Sequence, residues 1–311
     1  MIRYALEKIV FTFLSLFVMV TLTFIMMKAL PGDPFSDEKA LPKEVIANLH
    51  RHYGLDRPLI EQYWQYLASL ATLNFGNSIV YPGRSVVDII KTSFPVSAIL
   101  GTQAILLSLF GGVFFGTLSS LFNRHWPQKV LTTTGVLCIS IPSFIMASLL
   151  QYIFGIYLDW LPIARWGAWE HTILPSLALA AFPLAYIARL VRTNLNEVLK
   201  TPYIKNAKAK GLSTREILFY HALPNSLIPV ISYLSQFTTA ILTGSFIVEK
   251  IFGIPGLGQW YVASITNRDY PVIMGTTIFY SAILLSLTLI ADLIYCTLDP
   301  RIQVRDNASC V

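Results

Sequence analysis

The chain has 311 residues, 54% of them hydrophobic and only 13% charged, with a mean hydropathy of +0.59 and a formal net charge of +6. That is too apolar for a soluble domain of ordinary usage. The excess of positive charge raises the question of a nucleic-acid partner, but the uneven placement of Lys and Arg among the loops accounts for it, and no nucleic acid is expected.

Uncharged apolar stretches occupy 9–27, 96–122, 130–158, 172–188, 227–248 and 272–291. Each is close to or above the ~20 helical residues that cross a hydrocarbon core, so six transmembrane helices are predicted. Buried helices of a large soluble core would carry polar faces, which these stretches lack. The first follows Arg3 and Lys8, as a secretory signal would. Its apolar run exceeds the ~7–15 residues of a signal core, however, and Lys28-Ala29-Leu30-Pro31 offers no small-residue cleavage site, so a retained anchor is expected.

After that anchor, 44–52 reads as a short helix, Tyr53-Gly54-Leu55-Asp56-Arg57-Pro58 as a turn, and Leu59, Tyr63, Tyr66, Leu67 and Leu70 as one apolar stripe at helical spacing. With Trp64 nearby, this second helix either lies at headgroup level or covers the ends of the spans; covering is the preferred reading. Further on, Pro142, Pro175, Pro183, Pro229 and Gly111-Gly112 interrupt the spans. Such breaks border a pathway or are simple kinks, and both readings stand. Pro142, Ser143, Gly244 and Glu249 are the candidates for a translocation pathway. Glu249 is equally explained as an exposed carboxylate paired with Lys250 or Arg268.

No charged residue lies near the middle of a span, Asp292 being the nearest case, and this weighs against an ion-coupled carrier. Six crossings put both termini on one side, with Arg3, Lys8, Arg124, Lys129, Arg189, Arg192, Lys200, Lys205, Lys208, Lys210, Arg215, Arg301 and Arg305. The opposite short loops hold Arg165, Lys250 and Arg268. The termini are therefore expected in the cytoplasm and the long segment after the first span outside. Cys138, Cys296 and Cys310 supply no outside pair for a disulfide.

The connection 199–224 has its own local logic. Thr201 is placed as an N-cap, Pro202 at the first helical position and Gly211 as the residue that ends the helix 202–210. Ser213-Thr214-Arg215-Glu216 is a capping box for a second helix, which Pro224 is expected to stop about three turns later. Small Ala207 and Ala209 are expected on the surface between Lys205, Lys208 and Lys210, where a partner's backbone approaches closely. A basic helix lying on anionic lipid is the alternative, but it wants a continuous apolar face that this helix lacks.

This stretch resembles the EAA loop of binding-protein-dependent ABC importer permeases: Glu-Ala-Ala, three residues, Gly, nine residues, then Ile-x-Leu-Pro. Here those places hold Lys205, Asn206 and Ala207, then Gly211, then His221, Leu223 and Pro224. The spacing fits, and the departures are Lys205-Asn206 for Glu-Ala and His221 for Ile. Similar to the peptide and nickel branch are also Pro31-Gly32-Asp33-Pro34, Tyr53-Gly54-Leu55-Asp56-Arg57-Pro58, Ile141-Pro142-Ser143-Phe144, Val248-Glu249-Lys250-Ile251-Phe252-Gly253-Ile254-Pro255-Gly256-Leu257-Gly258, Arg268-Asp269-Tyr270-Pro271 and Leu298-Asp299-Pro300-Arg301. The long loop after the first span resembles the B-type permease of oligopeptide and dipeptide systems.

The resemblance implies an all-α integral membrane protein of the type I ABC importer permease fold, with an extracytoplasmic segment after the first helix. Its divisions would be 1–95, first helix and extracytoplasmic segment; 96–296, a five-helix transmembrane domain with the coupling loop 199–224; and 297–311, a cytoplasmic tail. It implies a bacterial inner-membrane location and a second homologous permease, two ATP-binding subunits and an extracytoplasmic substrate-binding protein as partners, besides membrane lipid. The ATPase-coupling residues would be Lys205, Asn206, Ala207, Lys208, Lys210, Gly211, His221, Leu223 and Pro224; Gly211 is expected to be the pivot, because a residue with a Cβ pays a steric cost at φ above zero. Oligopeptides are the first substrate class, with dipeptides or nickel complexes as alternatives. The chain has no Gly-x4-Gly-Lys-Ser/Thr phosphate loop and no His-Glu-x-x-His or Gly-x-Ser-x-Gly, and its five histidines are scattered. It is therefore expected to bind no cofactor or metal and to leave ATP and Mg to its partner subunits.

Overall fold

The computed structural model describes residues 2–29, 35, 42–122, 126–244 and 246–298. The motif Pro31-Gly32-Asp33-Pro34 and the ending after Leu298 lie outside them. Among the described residues the regular elements are helices: α1 (Ile2–Ala29), α2 (Lys43–His52), α3 (Leu59–Ala71), α4 (Val86–Leu121), α5 (Trp126–Ser140), α6 (Ser143–Leu150), α7 (Glu170–Val198), α8 (Pro202–Ala209), α9 (Thr214–Glu216), α10 (Leu223–Gly244), α11 (Phe246–Phe252), α12 (Leu257–Thr266) and α13 (Tyr270–Leu298). Two segments, Gln151–Tyr157 and Ile217–Ala222, are π-helical and continue α6 and α9 without a break.

Four helices among the described residues are long and apolar enough to cross a membrane: Leu6–Ala29, Val86–Leu121, Glu170–Val198 and Tyr270–Ile290. The stretch 130–158 is not one straight span, because the chain bends by 112° between Gln128–Ser140 and Ser143–Tyr157. Pro142 sits at the bend as the N-cap of α6, since it supplies no N–H to continue α5. Counting that pair as one span gives five. Of the sixth predicted crossing, 227–248, the described residues are helical on both sides of residue 245, which lies outside them: α10 runs to Gly244 and α11 starts at Phe246.

The chain separates into two compact units. One contains Ser97–Pro255 and Leu287–Val311, and the other Ile2–Val96 and Gly256–Ser286. In the first unit α4 and α7 are in near-backbone contact. A Cβ added at Gly112 would lie 2.6 Å from the Ile187 side chain, and one at Gly116 would lie 2.5 Å from the Ala188 carbonyl oxygen. Small residues let membrane helices approach in this way, and polar side chains then join them. The Ser120 hydroxyl donates to Asn196 Oδ1 at 2.7 Å, and the Ser176 hydroxyl to Gln103 Oε1 at 2.8 Å. Ile187 and Val191 of α7 pack with Val230 of α10, which fixes the two helices that flank 199–222.

In the second unit α3 lies against α1. The Tyr63 and Tyr66 rings pack on Phe24 at centroid distances of 5.3 and 5.8 Å, and the Tyr63 hydroxyl meets Thr21 Oγ1 at 2.7 Å. The predicted stripe is therefore a covering face at its tyrosines, while Leu59 and Trp64 stay exposed. Val86, Ile89, Leu257, Val272 and Tyr280 form this unit's core. Asp269, without solvent exposure, accepts hydrogen bonds from the Ser78 hydroxyl and, at 3.2 Å, from the Ile79 N–H. The Ser78 oxygen accepts in turn from Tyr81 N–H at 2.8 Å, so one buried carboxyl organises the turn that precedes α4.

Candidate functional site

The connection between α7 and α10 is held in shape from both ends. Pro202 opens α8, where its missing N–H leaves nothing unpaired, and Thr201 stands at the N-cap in an extended conformation. The Thr201 side chain does not cap the helix. It donates backwards to the Val198 carbonyl at 2.5 Å, closing the end of α7 instead.

At the other end of α8 the predicted termination is present in full. Gly211 has φ +83°; its N–H donates to the Lys208 carbonyl at 3.0 Å, and the Leu212 N–H donates to the Ala207 carbonyl at 3.3 Å. That pair of bonds is a Schellman closure, which satisfies carbonyls the helix leaves orphaned. Ser213 then starts α9 with both halves of a capping box. Its oxygen accepts from Glu216 N–H at 3.3 Å, and Glu216 Oε2 accepts from Ser213 N–H at 2.8 Å and from the Ser213 hydroxyl at 2.6 Å. These bonds favour the ionised carboxylate and hold Glu216 below the usual carboxylate range.

Two expectations for this stretch are corrected. Ala207 does not face outward: it is 7% exposed and packs with Leu195, Ile204, Ile217, Leu218 and Ala222. Its small size serves the chain's own packing, a tertiary constraint that helical spacing does not reveal. Lys205, Asn206, Lys208, Ala209, Lys210 and Gly211 remain exposed. Pro224 does not stop the second helix either. The π-helical turn Ile217–Ala222 leads directly into α10, where Pro224 occupies the first turn and its missing N–H is tolerated. The His221 carbonyl just before it accepts from Asn225 Nδ2 at 2.9 Å and from the Tyr203 hydroxyl at 3.3 Å. Asn225 also donates to the Tyr203 oxygen at 2.9 Å. Tyr203 and Asn225 thus pin α8 to the start of α10, a role that only tertiary structure discloses.

The result is a basic knob with a rigid base. Leu195, Ile204, Ile217 and Leu218 bury its underside, and Leu223 packs on Ile187, Val191 and Val230. The lysines of α8 crown it, with exposed Tyr203, Phe219 and Tyr220 beside them. Exposed aromatics next to a charged rim suit a protein contact surface better than a solvated loop.

The pathway candidates lie elsewhere in the same unit. Pro142 and Ser143 are exposed at the α5–α6 bend, and Gly244 is the last residue of α10. Glu249 sits in α11, which packs against α6, but it is fully buried, so an exposed surface pair does not describe it.

Residues 112–304 match the family model for the binding-protein-dependent transport system inner membrane component, and residues 1–101 match the corresponding N-terminal membrane-component model. The chain is 46% identical to the dipeptide transport system permease protein DppB of Bacillus subtilis, over 98% of this chain and 99% of that one. It is 41% identical to the oligopeptide transport system permease protein OppB of Salmonella typhimurium, over 97% and 100% respectively. Among solved structures, the crystal structure of an amino acid ABC transporter with histidines matches with a TM-score of 0.54 at 16% identity, over 67% of this chain and 94% of that one, a likeness of fold.

Proposed function

This chain belongs to the family of binding-protein-dependent transport system inner membrane components, and from that premise we propose that it is one of the two permease subunits of an ATP-driven peptide importer. The observation that carries the coupling half of this reading is the knob at 199–222. Its shape is fixed by the Schellman closure at Gly211, the capping box at Ser213 and the Tyr203–Asn225–His221 bonds, and its exposed face presents Lys205, Asn206, Lys208 and Lys210. A rigid, basic surface element joined directly to α7 and α10 can move those helices when a partner that holds it changes conformation, which is the physical requirement for coupling two sites.

The partners in this reading are a second, homologous permease that completes the pore, two ATP-binding subunits at the knob and a substrate-binding protein on the opposite face. ATP and Mg belong to the ATP-binding subunits. The termini are cytoplasmic and the segment after α1 extracytoplasmic in the inner membrane of a bacterium, as the Lys and Arg asymmetry favours. Residues 1–95 form the entry segment, 96–296 the transmembrane domain and 297–311 the tail. Lys205, Asn206, Ala207, Lys208, Lys210, Gly211, His221, Leu223 and Pro224 form the coupling element, of which Ala207 and Leu223 act from beneath. Pro142, Ser143, Gly244 and Glu249 border the pathway. Peptides are the substrate, and the names of the relatives place dipeptides beside oligopeptides.

Competitive uptake of labelled di-, tri- and pentapeptides and of nickel, in cells lacking the chain and then restored with it, tests both class and length. Restored peptide uptake that stops on ATP depletion is expected. Uptake by the purified chain alone in liposomes, driven by an ion gradient with no ATPase present, would sink the importer reading.

A further inference from the structure

The first unit holds a cavity of about 550 Å³ between α5 and α7, floored by α4, that reaches the knob only at Lys200. Its lining divides by chemistry: Phe115, Val136 and Ile139 are apolar, while Arg189 and Arg192 of α7 and Lys200 just beyond that helix are cationic. Against these three cations the lining has a single carboxylate, Glu197, and none of the three forms an ion pair among the described residues. Arg192 alone is engaged by a protein side chain, donating to Thr132 Oγ1 at 2.7 Å. At Gly135, on the α5 wall, an added Cβ would meet no atom within 4 Å, so the cavity is open there.

A trough lined both by apolar side chains and by a cluster of cations without an ion-pair partner is complementary to an anionic amphiphile. We propose that this groove binds an anionic phospholipid, its phosphate held by Arg189, Arg192 and Lys200 and an acyl chain laid along Phe115, Val136 and Ile139. The inference rests on the chain lying in a bilayer, and on its cations lying at the headgroup level of the cytoplasmic leaflet, as in the function proposed above. A peptide carboxylate or free phosphate satisfies the cations but leaves the apolar trough unfilled. A guanidinium also suits a phosphate better than an ammonium does, because its planar fork donates two parallel hydrogen bonds.

The test uses the full chain purified in detergent, with the midpoint of thermal unfolding followed as dioleoyl-phosphatidylglycerol, dioleoyl-phosphatidylcholine or inorganic phosphate is added. Phosphatidylglycerol is expected to raise the midpoint and the other two to leave it unchanged. Arg189→Gln with Lys200→Gln removes two exposed cations that have no protein partner among the described residues, so folding is retained. The phosphatidylglycerol dependence should then shift to roughly thirtyfold higher concentration. Gly135→Leu fills the trough and leaves every charge in place; it is expected to abolish the shift with a normal midpoint in the absence of lipid. Equal stabilisation by phosphatidylcholine, stabilisation by inorganic phosphate alone, or an undiminished response in both variants overturns the proposal. Because the readout needs neither ATP nor a transported peptide, its outcome is independent of whether the uptake test succeeds.

Discussion

Helices α8 and α12 end in the same hydrogen-bonded closure but place different residues at its left-handed position. At the end of α8 that residue is Gly211, φ +83°. At the end of α12 it is Arg268, φ +54°, with its N–H on the Ile265 carbonyl at 3.3 Å and the Asp269 N–H on the Ser264 carbonyl at 2.9 Å. Glycine adopts this conformation without steric cost, whereas a residue with a Cβ gives up roughly 1–2 kcal/mol. The next residue offsets that cost at α12: Asp269 is buried and accepts from Ser78 and Ile79. At α8 the next residue is Leu212, 36% exposed, which offers no comparable anchor. The α8 end is therefore secured by local backbone freedom, and the α12 end by tertiary hydrogen bonds.

The contrast is most exposed to failure at Asp269. Replacing Asp269 by Ala leaves the buried Ser78 hydroxyl and the half-buried Ile79 N–H without their acceptor and removes the anchor, and should cost about 3 kcal/mol. Thermal unfolding of the detergent-solubilised chain reads this directly, and an unchanged midpoint would mean that the corner is held by something else. Next in size is Gly211→Arg, which gives α8 the residue α12 carries. It should cost about 1–2 kcal/mol, because the added Cβ meets no neighbour and only the backbone resists. Peptide uptake should fall much further than stability while membrane insertion is retained, and normal transport would remove this turn from the coupling argument.

Ser213→Ala removes the cap that follows Gly211 and should cost about 1 kcal/mol in the same unfolding measurement. At Arg268→Gly two backbone effects of about 1 kcal/mol or less oppose each other, relief at the left-handed position and the added freedom of the unfolded chain, so any larger loss measures what the Arg268 side chain itself contributes. A loss as large as that of Asp269→Ala would show that the Arg268 side chain, not its backbone, holds the corner. The smallest effect is protonic. Glu216 titrates lower in the folded state than in the unfolded chain, so its contribution is present above the ordinary carboxylate value of about 4.3 and is lost as pH falls through the lower folded value. The midpoint difference between the wild type and Glu216→Gln should shrink to nothing over that window. A difference that persists below it would assign the effect of the substitution to something other than the Glu216 charge.

The same contrast separates what the sequence discloses from what it does not. Pro202, Gly211 and the Ser213–Glu216 pair each act through neighbours within a few residues, so their spacing alone announces a helix, its end and the next beginning. Asp269 acts across 191 residues on Ser78, and no local pattern carries that information. The same holds for Ala207, whose burial depends on Ile217, Leu218 and Ala222, and for Pro224, where a π-helical turn with no residue signature carries the chain past the expected stop. Hydropathy located the apolar stretches but is blind to direction, so the 112° bend at Pro142 lay beyond it. Glu249 illustrates the remaining gap: a carboxylate beside Lys250 reads as a surface residue, yet it is fully buried.

The glycines of α4 carry a consequence for how this sequence is free to drift. Phe110 and Phe114 on the same helix are 68% and 61% exposed, and there a hydrocarbon environment asks only that a replacement be apolar. At Gly112 and Gly116 apolarity is irrelevant. A single methyl group would overlap Ile187 or the Ala188 backbone, and α7 would have to move away along its length. Mutational tolerance on α4 therefore alternates within one helical turn, between positions that accept nearly any large apolar side chain and positions that accept none.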